Sequence, residues 1–303
     1  MSRARRIKQS VKKRIAGSKS AFKKIRNVGI AVRIHRTKFF HISRLKLGKF
    51  RPKIGLQIEK GNFIIKTVEN ARELENVLRL RFDVFYQELL EKKAVIPSDI
   101  DQFDFICDHL VIFDRDRNKY VGTYRLNLST FSRKFYSSQE FDIDNILRLK
   151  DVKLELGRAC VDREYRTGVI IALLWRGLAE YIRLSNTRYL FGCSSVKTVD
   201  TNEVALLYLY LMKHHRAPEE FIVVPRKNFR IPSFSEYLSG LKCSSEEMDQ
   251  AKTLVPPLLS FYLKAGAFVC GEPALDKAFN CVDFFTVLDM KNIAKSIEKK
   301  YNV

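Results

Sequence analysis

The chain reads as an α/β protein: one mixed sheet flanked by helices, preceded by a basic helical arm. Three observations carry this. The apolar patterns run strand, helix, two hairpin strands, strand, helix, strand, helix and final strands, the alternation of an α/β plan. Of 303 residues, 46% are hydrophobic and 12% aromatic, enough for a sizeable core. The charge is lopsided. The net charge is +21, yet 19 of the 55 Lys and Arg, and none of the 34 acids, fall in residues 1–53. The rest is close to neutral, so two units are expected: an arm over 1–55 and a folded domain over 56–303.

The arm comes first. Within residues 3–30, Ile7, Val11, Ile15, Phe22 and Ile25 recur at helical spacing on one face, and Lys and Arg fill the remainder. Such a helix lies in a membrane interface, its apolar stripe inserted and its cations on anionic lipid. Nucleic acid would use the same charge without needing the stripe, and a solvated tail would need neither. An anionic membrane surface is therefore the expected partner of residues 1–53, with nucleic acid disfavoured. The acid-free, Ser- and Arg-rich start also has the composition of a mitochondrial presequence. No apolar run reaches 18 residues, so no membrane span is expected. The expected location is cytoplasmic, peripheral on the inner face of the cell membrane.

The body follows. Residues 62–68 read as a strand. Residues 69–91 read as a helix with Leu74, Val77, Leu78, Phe82 and Phe85 on its apolar side, ended by Pro97. An acidic loop carries Asp99, Asp101, Asp104 and Asp108. Strands 109–113 and 120–128 flank the charged turn DRDRNK. Residues 129–149 and 218–257 read as irregular, the latter because of its prolines. Strand 188–194, helix 202–214, helix 258–265 and strands 267–270 and 283–288 complete the order.

At the centre stands KLELGRACVDREYRTGVIIALLWRGL, residues 153–178. It is an apolar strand interrupted by Glu155 and Arg158, a turn through Gly168, and an apolar helix from Val169. A strand, a basic turn and a helix N-terminus hold an anion, because the free N–H groups and the helix dipole converge there. Arg163 and Arg166 add charge. The spacing Arg163-x-x-Arg166-x-Gly168 resembles the acyl-CoA-binding turn of the GNAT acyltransferase superfamily, with Arg166 in place of its first glycine. Six cysteines, at 107, 160, 193, 243, 270 and 281, form no CxxC pair, so no metal site is expected. Cys160 and Cys193 read as buried thiols, and Trp175 as core.

RLRFDVFYQE, Asp101–Phe103–Asp104, Tyr124–Arg125–Leu126 and Glu155–Leu156–Gly157–Arg158 resemble acyl-homoserine-lactone synthases. More closely, LELGRACVDREYRTGVIIALLWRGLAEYI, YLFGCSSV and PPLLSFYLKAGAFVCGEPALDKAFNCVDFFTVLD resemble the L-ornithine Nα-acyltransferases of ornithine-lipid synthesis. The resemblance covers roughly residues 62–290; the arm departs from it, and 195–255 match loosely. It implies a GNAT-like fold with a mostly antiparallel sheet. It also implies transfer of a (3-hydroxy)acyl group from acyl carrier protein to the α-amine of an amino acid, ornithine foremost. The acyl-phosphopantetheine would be a co-substrate, no cofactor would be tightly bound, and an O-acyltransferase would act downstream. A lactone-signal synthase and a non-catalytic basic binder of membrane or nucleic acid are the alternatives.

The roles follow from that chemistry. Glu155 is the base candidate; its bland alternative is an ion pair with Arg125 or Arg158. Arg125 and Arg158 would fix a carboxylate or hold Glu155. Asp101 and Asp104 would bind the acceptor's ammonium groups, unless they are a solvated acidic loop. Arg81 and Phe85 share a helix face on the acceptor side, unless that face is plain core. The N–H groups at Cys160 and Val161 are the oxyanion donors, and Arg163, Arg166 and Gly168 the phosphate anchor. Cys160 as a covalent nucleophile is not expected, having no nearby His in sequence. His214 and His215 read as partners of a helix dipole.

Overall fold

The computed structural model describes residues 47–89 and 99–293. The amphipathic helix expected over 3–30 and its stripe lie outside the described residues, as do the helix end near Glu91 and the break at Pro97. The described residues from Arg51 onward form one compact unit.

The body opens with a hairpin, β1 (Gln57–Lys60) and β2 (Phe63–Thr67), a strand pair of which the sequence pattern reveals only the second. Helix α1 (Ala71–Phe82) starts at Asn70, whose side chain accepts the Glu73 N–H, and it buries Leu74, Val77 and Leu78. It continues into the wider π-helical turns of Asp83–Leu89. Strands β3 (Asp108–Asp114) and β4 (Lys119–Leu128) form the expected hairpin. Residues 129–149 are less irregular than expected: β5 (Phe141–Asp142) pairs with a later two-residue strand, and α2 (Asp144–Arg148) follows.

The central stretch folds as β6 (Val152–Val161), a turn, and α3 (Val169–Ser185). Then come β7 (Thr187–Val196) and α4 (Thr201–His215), followed by β8 (Val224–Pro225), the partner of β5. Short helices α5 (Phe234–Gly240) and α6 (Ser245–Gln250) lead to α7 (Pro257–Lys264). Strands β9 (Phe268–Val269), β10 (Ala274–Asp276) and β11 (Cys281–Asp289) close the body. The main sheet runs β1-β2-β3-β4-β6-β7-β11-β10, with β9 also against β11. Every neighbouring pair is antiparallel except β6–β7.

Helix α3 lies close on the sheet because two glycines remove the obstacle. A Cβ at Gly177 would stand 2.5 Å from Ile65 Cγ2, and one at Gly122 would stand 2.6 Å from Ile170 Cγ2. Leu174, Trp175 and Leu178 are fully buried in this layer. On the opposite face Phe135, Phe141, Phe191 and Phe285 form a second core. A third gathers α4 and α7 against β11.

Two departures from regular pairing matter. The β6–β7 ladder ends at Glu155 opposite Phe191. At Gly192, one residue on, a side chain would collide with the Leu156 carbonyl oxygen. Past that point the strands part. On its other edge β6 bulges: Gly157 faces Arg125 and Cys160 faces Thr123, so Arg158 and Ala159 together oppose Tyr124. Arg158 takes the left-handed conformation, φ 49°, which costs a side-chain-bearing residue about 1 kcal/mol or more and must be held by its surroundings.

Candidate active site

A pocket of about 320 Å³ opens where β6 and β7 part. Its walls differ in character. On the α3 side Tyr124, Trp175, Leu258, Tyr262 and Leu288 make an apolar wall, tied by a 2.8 Å hydrogen bond between the Tyr124 and Tyr262 hydroxyls. On the other side stand Glu155, Arg158, Tyr136, Ser195, Asp276 and Asp283.

Arg158 is fixed by charge and by rings. Its Nε lies 3.2 Å from Asp99 and its Nη2 3.5 Å from Asp101. Its guanidinium centre lies 5.1 Å from the ring of Tyr136 and 5.2 Å from that of Phe279. These contacts explain how the strained bulge persists.

Behind it runs a buried network. Arg81, with no exposed surface, donates from Nε to Asp99 at 2.7 Å and from Nη1 to Asp104 at 2.6 Å. Arg125 donates from Nη1 to Asp101 at 2.7 Å and to Asp104 at 3.2 Å. Burial opposes ionisation of Asp104, but the Arg81 and Arg125 guanidiniums outweigh it and hold its carboxyl well below the usual range. Asp99 is likewise lowered, burial being overcome by Arg81 and Arg158. Three arginines thus meet three aspartates. This corrects the expectation for Asp101 and Asp104: Asp104 is fully enclosed and both are engaged by arginines, so neither offers a free carboxylate to an acceptor. Arg81 is likewise interior. Phe85, in the π-helical turns, does reach the pocket wall.

Glu155 is 5% exposed and surrounded by donors. Its oxygens accept from Tyr136 N at 2.9 Å, Ser137 N at 2.7 Å, Ser137 Oγ at 2.8 Å and Asn127 Nδ2 at 3.3 Å. No ion pair joins it to Arg125 or Arg158 among the described residues, which corrects the ion-pair alternative: its partners are neutral donors. It holds the 136–137 turn against β6.

The phosphate-turn residues lie outside the pocket wall. Gly168 caps α3 with φ 87° and brings no side-chain cap, leaving the first-turn N–H groups open. Arg163 is exposed. Arg166 donates to the Val161 carbonyl at 3.1 Å and pairs with Glu88 at 2.8 Å. Cys160 and Val161 sit in the β4 ladder, opposite Thr123 and Gly122. Cys160 packs with Leu80 and Val84, and burial pushes its thiol up to about 12, against a thiolate role. The pocket is lined instead by Leu156, Gly157, Arg158 and Ala159.

Sequence reasoning missed Tyr136, Ser137, Asp276 and Asp283, which come from segments distant along the chain. It also read Trp175 only as core, whereas it is both core and pocket wall. The one available signal was Asp283, an acid inside the otherwise apolar CVDFFTVL, where an unpaired charge is costly.

Residues 80–176 match the family described as the acetyltransferase (GNAT) domain. The chain is 30% identical over 252 residues to an L-ornithine N(alpha)-acyltransferase of Brucella abortus, covering 77% of this chain and 86% of that one. It is 31% identical over 249 residues to the enzyme of that name from Rhizobium meliloti, covering 77% and 82%. Among solved structures, the CoA-dependent acyl-homoserine lactone synthase BjaI with SAM and isopentyl-CoA aligns at a TM-score of 0.45 and 15% identity, over 76% of this chain and 82% of that one. A non-catalytic binder is thereby set aside, and the chain belongs to the L-ornithine Nα-acyltransferase family.

Proposed function

We propose that this chain transfers a (3-hydroxy)acyl group from the phosphopantetheine thioester of acyl carrier protein to the α-amine of L-ornithine, giving a lyso-ornithine-type lipid. The observation that carries the reading is the two-sided pocket, apolar on one wall and charged on the other, in a chain spanning 86% of an L-ornithine acyltransferase. The apolar wall suits an acyl chain. The β6 edge that faces the parting strands offers backbone N–H groups to the thioester carbonyl, which gains negative charge as the amine attacks. Arg158 stands ready for the acceptor's carboxylate. Glu155 acts as a positioning residue through Tyr136 and Ser137.

The donor reading rests on the uncapped N-terminus of α3 with Arg163 beside it, a setting for the phosphopantetheine phosphate and for an acidic carrier. The product is an amphiphile, and the basic arm would keep its synthesis at an anionic membrane surface. An O-acyltransferase, adding the second acyl chain, would consume it. The test is thiol release from 3-hydroxyacyl carrier protein and from the matching acyl-CoA, with single amino acids as acceptors. Release from the carrier protein with L-ornithine is expected. Release from acyl-CoA alone would overturn the donor, and no release with any amine would overturn the reading.

A further inference from the structure

Three carboxylates at the pocket's charged wall form no ion pair among the described residues; Asp276 and Asp283 line the pocket, and Glu140 stands against Asp283. Glu140 is 1% exposed, Asp283 3% and Asp276 6%. They come from three places: the segment before β5, β11 and β10. The latter two strands pair, with Ala274 opposite Asp283 and Asp276 opposite Cys281. Ligand atoms of Asp276, Cys281 and Asp283 all lie within 4.8 Å of one another, and all three residues line the pocket.

Their partners are few and neutral. Asp276 accepts the N–H groups of Ala278 and Phe279, at 2.8 and 3.1 Å. Asp283 accepts Ser195 Oγ at 2.5 Å. Glu140 Oε2 is buried with no hydrogen-bond donor. Its carboxyl faces that of Asp283, another acceptor, and the Tyr136 hydroxyl, which donates to it. Two acceptors face to face need a proton or a cation between them. Burial first, and then the charge of Asp283, push the Glu140 carboxyl up; burial also pushes Asp283 up.

Compare Asp99, Asp101 and Asp104, neutralised by three built-in guanidiniums. The Glu140–Asp276–Asp283 group has no ion pair among the described residues, and its Asp276 and Asp283 open on the pocket; Arg158, whose charge lowers Asp283, is paired with Asp99 and Asp101. A buried carboxylate without a counter-charge is costly unless a ligand supplies it. A metal ion fits less well than an ammonium. The third ligand would be Cys281, whose thiol burial holds well in its protonated form, whereas a metal needs the thiolate.

We propose that Glu140, Asp276 and Asp283 form the subsite for the side-chain ammonium of a dibasic acceptor amino acid, and so set the choice of acceptor. This rests on the amino-acid acyltransferase reading above. The acceptor then spans the pocket, its carboxylate at Arg158 and its terminal ammonium at the carboxylates, with the α-amine left toward the thioester. An acceptor without the terminal amine leaves the carboxylates uncompensated and is refused.

The experiment uses the full chain and two acceptors, L-ornithine and L-norvaline, which lacks only the terminal amine. Binding of each is measured by calorimetry without a donor, and acyl transfer is measured separately. Asp283→Asn is expected to weaken L-ornithine binding by about 10- to 100-fold, the loss of a charged hydrogen bond, and to leave L-norvaline no worse. Glu140→Gln, a second substitution of like size, is expected to act in the same direction. Unchanged preference in both folded variants overturns the subsite even if acyl transfer to L-ornithine is confirmed. Loss of wild-type L-ornithine binding on treatment with a chelator overturns it in favour of a metal. Selective L-ornithine binding that Asp283→Asn abolishes, in a protein that acylates no amine, upholds the subsite and overturns the transferase reading instead.

Discussion

Glu155→Gln separates two roles for the carboxylate on β6. As a base, Glu155 would be lost chemically while the fold stood. As an anchor, its loss would loosen the 136–137 turn. The structure favours the anchor, because four donors converge on two oxygens. Glutamine keeps one oxygen, enough for Ser137 N and Oγ. Its NH2 group then faces Tyr136 N and Asn127 Nδ2, both donors. Asn127 can turn its amide, since its Oδ1 is buried without a partner, though it would forfeit its 2.8 Å bond to the Lys134 carbonyl. The Tyr136 N–H cannot turn. One buried backbone donor left unpaired costs about 1–3 kcal/mol, and the remaining bonds lose their charge assistance. A loss of about 2 kcal/mol lowers the melting temperature of a domain this size by roughly 4–8 °C.

The assay is scanning calorimetry beside thiol release at saturating donor. Ser137→Ala, which removes one anchor and leaves the carboxylate, should lower the melting temperature by a part of that amount. An unshifted melting temperature for Glu155→Gln, with turnover down by about 10²–10⁴-fold, would refute the anchor and restore Glu155 as the base.

Two further outcomes are expected. Glu140, raised to about 9, favours the folded state fully below its unfolded pKa near 4.5, and that contribution is lost as pH rises through 9. His109, which burial lowers to about 4, acts oppositely but only below about pH 6.5, and the buried thiols, whose burial raises them, begin to act only as pH nears 9, so the window from 6.5 to 8 isolates Glu140. Stability should fall across it by at most about 2 kcal/mol, measured by urea titration, and Glu140→Gln should flatten the fall. Second, a chain starting at Arg51 should keep acyl transfer and lose sedimentation with anionic vesicles, because most of the basic excess goes. The cut spares the Lys53 and Ile54 N–H groups that Asp108 accepts at 2.8 and 3.0 Å; vesicle binding by the shortened chain would refute the arm's role.

The sheet was legible where alternation and turn chemistry are local. The β3–β4 hairpin, β6, α3, β7 and α4 fall within one or two residues of expectation. Strands β1 and β10 were not: each is short, with a pattern set by its neighbour rather than by its own residues. The π-helical turns at Asp83–Leu89 were also hidden, since Phe82 and Phe85 suit an ordinary helix as well. Of the pocket lining, Glu155, Arg158, Arg125 and Phe85 were legible because they sit on regular elements beside the gap. Tyr136, Ser137, Asp276 and Asp283 were not, because what qualifies them is proximity across the sheet.

Two groups of acids show why sequence could not assign the acceptor's ammonium. The loop at 99–104 is dense in aspartate and looks like a cation site; Glu140, Asp276 and Asp283 are scattered and look like nothing. Burial reverses the ranking. A buried acid is stable only with a counter-charge, and the fold supplies one to Asp99, Asp101 and Asp104 through Arg81, Arg125 and Arg158. Those three aspartates are answered, so they shape the pocket and offer an ammonium nothing, while Arg158 still presents its guanidinium to the pocket. At Asp276 and Asp283 the nearest partners are a hydroxyl and backbone N–H groups, and the missing charge has to come through the pocket. Density along the chain measures neither quantity; the position of the arginines in space does.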